Sequence, residues 1–76
     1  MNSTESKNYA NDVVYPRAYD AAAEAVRSGA SPDEAYEAAR DEADRCVREN
    51  NGSGALSAEN AAYTATVAAV ENEVAR

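Results

Sequence analysis

Ser31-Pro32-Asp33-Glu34-Ala35-Tyr36-Glu37-Ala38-Ala39-Arg40-Asp41-Glu42-Ala43-Asp44-Arg45-Cys46-Val47-Arg48-Glu49-Asn50 is the stretch that decides the fold. It opens with a Ser, then a Pro suited to a first helical position, then a Glu three residues after the Ser. That is the pattern of a capping box, with acids where the helix dipole favours them. Tyr36, Ala39, Ala43 and Cys46 recur at helical spacing, flanked by Ala35 and Val47, and predict the inward face of a helix over 32–50. Asn50-Asn51-Gly52-Ser53-Gly54 breaks it, with Gly52 able to take a left-handed backbone.

Working outward, two further helices are predicted. One spans 16–28, opened by Pro16 and stopped by Gly29, with Tyr15, Tyr19, Ala22 and Val26 on one face. The other spans 58–75, with Ser57 as its cap and Leu56 stapled back onto Ala61. Its large stripe is Tyr63, Val67, Val70 and Val74. Beside that lies a stripe of small residues, Ala58, Ala62, Ala65 and Ala69, which lets another helix approach closely. Asn11 to Tyr15 reads either as a helical turn running into Pro16 or as an extended lead-in; the turn is favoured. Residues 1–11, rich in Asn, Ser and Thr, read as a flexible or loosely helical arm. The connections, Gly29-Ala30 and Asn51 to Leu56, are short enough to make neighbouring helices antiparallel. The fold class is all-α: a three-helix bundle as a single domain over 12–76, with an N-terminal arm.

The chain has 76 residues, 14 acidic and 7 basic, for a net charge of −7, with no His and one Cys. Without His, no Ser-His or Cys-His nucleophile can be built, and no zinc site containing His. Cys46 alone can form no internal disulfide, which fits a reducing compartment. Its neighbours mark it as a small core residue rather than a reactive thiol. No apolar run approaches the roughly 18 residues of a membrane span, and the N-terminus shows no apolar leader. The implied location is the cytoplasm. Excess acid disfavours direct binding of nucleic acid or of anionic membranes. The loop 51–54 lacks the Lys and the strand context of a phosphate cradle. No calcium-loop pattern appears, so no metal and no cofactor is expected, and no catalytic residue.

Ala supplies 19 of the apolar residues, against seven Val, five Tyr and one Leu. So small a supply of large side chains makes a core marginal, and a homodimer or a stabilising partner is expected. Tyr19, Tyr36 and Tyr63 fall on predicted inner faces. Tyr9 and Tyr15 lie at or before the first helix and are candidate interface anchors, since Tyr buries much area at little entropy cost.

The helix over 32–50 carries seven acids and three Arg, hence −4 of the −7. Asp33, Glu34, Glu37, Asp41, Glu42 and Asp44 are the candidate residues for docking on a basic surface, even a groove shaped for phosphates. The competing reading is a solvated face paired with itself, through Asp41–Arg45 and Asp44–Arg48 at i,i+4 and Glu37–Arg40 and Glu42–Arg45 at i,i+3.

In size, acidity and lack of catalytic groups the chain resembles the small acidic anti-defence inhibitors of phages and mobile elements, anti-CRISPR proteins among them. The resemblance is one of class, carried by no diagnostic motif. It implies a non-enzymatic inhibitor that sits on a larger nucleic-acid-binding complex. The alternative is a self-associating structural or antitoxin-like helical module, whose contact would be the Ala and Val stripes of the last helix, Ala65 and Ala69 at its centre.

Overall fold

The computed structural model describes residues 3–76. These form α1 (Ser3–Tyr9), a π-helical turn (Ala10–Val14), α2 (Tyr15–Arg27), α3 (Pro32–Glu49) and α4 (Ala55–Val74). Each of α2, α3 and α4 packs against both of the others, so the architecture is a three-helix bundle with no strand among the described residues.

The capping box at α3 forms as its sequence dictates. The Ser31 hydroxyl accepts from the Glu34 backbone N–H at 3.2 Å, and the Glu34 carboxylate accepts from the Ser31 N–H at 3.0 Å. Those bonds hold the Glu34 carboxyl below the usual carboxylate range. Both connections open with the same stop. Gly29 (φ +96°) ends α2, with Ala30 N–H donating to the Ala25 carbonyl and Gly29 N–H to that of Val26. After α3 the matching position belongs to Asn51 (φ +59°), followed by Gly52, left-handed as expected (φ +79°), with the same two-bond pattern onto Val47 and Arg48. Asn tolerates this conformation better than most side chains.

Three sequence expectations are corrected here. First, the helical path does not begin at Pro16. It runs from Ser3 through the π turn into α2, so of the two readings of the arm the helical one holds over its described part, and the favoured turn over 11–15 forms, residues 1 and 2 lying outside the described residues. Tyr9 and Ala10, placed in the arm by sequence, pack on the bundle. Pro16 lacks an N–H, and its ring crowds the carbonyl four residues back. The wider π turn, closed by Tyr15 N–H onto the Ala10 carbonyl, carries the chain past that point with Tyr15 still helical. Second, Ser57 does not cap α4. The helix starts a turn earlier, behind left-handed Gly54, because Ala55 and Leu56 are good helix formers, and Leu56 is left exposed rather than stapled.

The third correction is the largest. The core of α4 is its small stripe, read from sequence as a close-approach surface: Ala58, Ala61, Ala62, Ala65 and Ala69 are buried, while Tyr63, read as inward, is 63% exposed, Val67 41% and Val74 75%, with Val70 partly buried against the core. The same choice is made throughout. Apart from Val14 and Cys46, every buried apolar residue among the described residues is Ala. Ala faces on all three helices let the backbones approach closely, and one large side chain in that seam would hold them apart. The face Ala35, Ala39, Ala43, Cys46 of α3 is buried as read, with Tyr36 half-buried at its edge.

Candidate partner-binding face

Asp33, Glu37, Asp41 and Asp44 follow one another along α3 at steps of four, four and three residues, so they occupy one face of the helix. That face lies opposite Ala35, Ala39, Ala43 and Cys46, and all four acids are exposed. Along the axis they span about 16 Å at 1.5 Å per residue. Among the described residues none of the four has an ion pair. Arg48 is exposed at the C-terminal end of the same face.

Two of the three arginines expected to neutralise this row, Arg40 and Arg45, turn elsewhere. Arg40 reaches across to Glu59 of α4 at 3.3 Å. Arg45 pairs with Glu42, as the i,i+3 spacing allowed. The pairs Asp41–Arg45, Asp44–Arg48 and Glu37–Arg40 do not form. Arg17 of α2, unremarked in the sequence, takes up the other flank. Its Nε donates to Glu42 at 2.8 Å and its terminal nitrogens donate to Glu49 at 3.1 and 3.3 Å. This fork keeps the Glu49 carboxyl below its ordinary range and the Arg17 guanidinium firmly protonated. Glu42 is thus a strut between α2 and α3, and Glu34 belongs to the capping box. Of the six nominated acids, Asp33, Glu37, Asp41 and Asp44 form the open row.

Tyr9 and Tyr15 do not join it. The Tyr9 hydroxyl donates to the Cys46 carbonyl at 3.0 Å, locking the N-terminal helix onto α3. Burial pushes the Tyr9 phenol up, helped by the nearby Cys46 and Glu49. Its hydroxyl is committed within the chain, while its ring is half-buried. Tyr15 is half-buried, stacked on Tyr19 at 6.3 Å between ring centres. Tyr19 in turn accepts from Asn72 Nδ2 at 2.7 Å. Cys46 is fully enclosed, and burial raises its thiol above the ordinary value.

Two open clefts mark the surface. One, of about 360 Å³, lies between the N-terminal helix and α4, with Lys7, Asn11, Tyr15, Ser57, Asn60 and Thr64 on its walls. The other, of about 470 Å³, lies between α3 and α4 and holds Tyr36 and Tyr63 edge-to-face at 6.1 Å. Sequence reasoning missed this second cleft by assigning both rings to the core. The available signal was that α4 carries two apolar stripes, of which the narrower suits a close-packed seam. Among the described residues no group of three or more His, Cys, Asp or Glu is gathered to hold a metal, and no helix is long and apolar enough to cross a membrane.

No family model, curated protein or solved structure matches the chain.

Proposed function

We propose that the chain is a non-enzymatic binding protein that lays the row Asp33, Glu37, Asp41, Asp44 on a basic, nucleic-acid-binding surface of a larger protein and blocks access there. The observation that carries this reading is the row itself: four exposed carboxylates on one rigid helix face, left without ion pairs while Arg40 and Arg45 beside them pair elsewhere. A helix holds its charges in fixed register, so little order is lost when a partner's cations meet them. Opposed charge steers encounter and suppresses wrong partners. The class resemblance to anti-defence inhibitors agrees with stoichiometric blocking of this kind.

The test uses paired baits, the natural chain and a Glu37→Lys/Asp41→Lys variant, in extracts of the cell of origin. A protein retained by the natural chain, lost from the variant and released by salt is the expected result, followed by competition of the purified partner with nucleic acid. Equal retention on both baits refutes the role of the row.

A self-associating module is favoured by a different observation, the exposed stripe Leu56, Tyr63, Val67 and Val74 on α4. The Ala stripe expected to mediate that contact lies in the core, so the contact would be this outer face. Light scattering across a concentration series tests it. A monomer at all concentrations removes it.

A further inference from the structure

At its N-terminal end the acidic row runs into the aromatic cleft, because Asp33 belongs to both. The walls are Pro32, Asp33 and Tyr36 from α3, and Tyr63, Thr66 and Val67 from α4. Edge-to-face packing steadies the two rings, yet Tyr63 keeps well over half its surface open to solvent. The Thr66 hydroxyl donates to the Ala62 carbonyl at 2.7 Å, so its proton is committed within α4. The lining is mostly apolar and aromatic, with one charged group, the Asp33 carboxylate, which has no ion pair among the described residues.

That chemistry selects its occupant. Aromatic faces attract cations, and a guanidinium is flat, weakly hydrated and able to stack while it pairs with a carboxylate. A second copy of the chain is opposed by charge, −7 against −7. A neutral apolar segment would cover Asp33 without compensation, which costs desolvation. We infer that the Tyr36–Tyr63 cleft receives an arginine side chain of the basic partner, its stem on Val67 and Pro32 and its guanidinium between Tyr63 and Asp33. This rests on the reading that the row docks on a basic protein surface, and it adds the register: one arginine seated at Asp33, with further cations following along Glu37, Asp41 and Asp44.

The experiment is an NMR titration of the full, isotopically labelled chain with a short, otherwise neutral peptide carrying one arginine, and with its citrulline analogue, which keeps the shape and loses the charge. The arginine peptide is expected to shift the amides of Tyr36, Tyr63 and Val67, and the citrulline peptide to bind about tenfold more weakly. Tyr63→Leu keeps an apolar, helix-compatible residue and removes the ring, and is expected to weaken the arginine peptide about two- to fivefold. Asp33→Asn is expected to weaken it by a similar factor, and Asp41→Asn to leave it unchanged. Circular dichroism confirms that each variant is folded. Equal binding of the two peptides overturns the inference. So do shifts that follow Glu37, Asp41 and Asp44 and respond to Asp41→Asn instead of Tyr63→Leu, although that outcome leaves docking by the row intact. Cleft shifts as expected, with partner capture indifferent to Glu37→Lys/Asp41→Lys, refute the row and keep the cleft. A dimer dispersed by Tyr63→Leu assigns the cleft to a second copy and overturns the inference.

Discussion

Replacing Ala65 by Leu asks directly which side of α4 is inside. Ala65 is fully buried, on a helix that packs against both α2 and α3, whose own buried faces are Ala18, Ala22 and Ala23 and Ala35, Ala39 and Ala43. Leu and Ala are both good helix formers, so backbone propensity changes little. What changes is volume. The added isopropyl group enters a seam of buried Ala side chains and must push neighbouring backbones apart. Overpacking of this kind costs about 1–3 kcal/mol. In a domain of this size each kcal/mol moves the midpoint by about 4–8 °C, so a loss of about 2 kcal/mol lowers Tm by about 8–16 °C. Val67→Ala supplies the contrast. Val67 is 41% exposed, and losing its partial burial is offset by the better helix propensity of Ala, so its effect stays within about 0.5 kcal/mol. Thermal and urea melts followed by far-ultraviolet circular dichroism read both variants. A neutral Ala65→Leu together with a Val67→Ala loss of about 1.5 kcal/mol or more would show that the large stripe faces inward, and the reasoning about the Ala seam would be refuted.

Ser31→Ala removes the acceptor of the Glu34 N–H and is expected to destabilise the chain by about 1 kcal/mol, read by the same melts. Stability should also fall in acid. Glu34 and Glu49 have carboxyls held below their ordinary value of 4.5, so their contribution is complete above that pH and is lost as pH drops through their folded values. Arg17→Met is expected to flatten that acid limb by releasing Glu49, whereas a pH profile unchanged by the substitution would contradict the Arg17 fork. Cys46 has a raised thiol in an enclosed site, so a thiol reagent at mildly alkaline pH should label native protein far more slowly than urea-unfolded protein. Equal labelling rates would place the sulfur at the surface.

Much of the bundle was legible because its signals are local. Ser31 and Glu34 specify a helix start within four residues, and Gly29 an end within one. Periodicity also placed the inner face of α3, since acids on its far side leave only one face to bury. It failed on α4, where Ala, Val, Tyr and Thr surround the helix and no polar face marks the outside. There the deciding quantity is the distance between helices, which the packing of the other two sets. A helical turn before Pro16 was favoured from sequence, but its π form and its continuation to Ser3 were not legible, because Pro16 fits a helix start equally well and only the docking of Tyr9 and Ala10 shows how far the helix runs upstream. In the candidate site, the row of acids was visible in the spacing. Which of them would be neutralised was not, because Arg17 arrives from a segment 25 residues away from Glu42, and Arg40 leaves for Glu59.

The association rate of the natural chain with its captured partner, measured against ionic strength beside Glu37→Lys/Asp41→Lys, tests the role of the acidic row most directly. Steering by exposed carboxylates predicts a rate that falls steeply as salt shortens the screening length below about 8 Å, and a variant that is slow at every salt concentration. A natural chain whose rate ignores salt, matched by the variant, would contradict it.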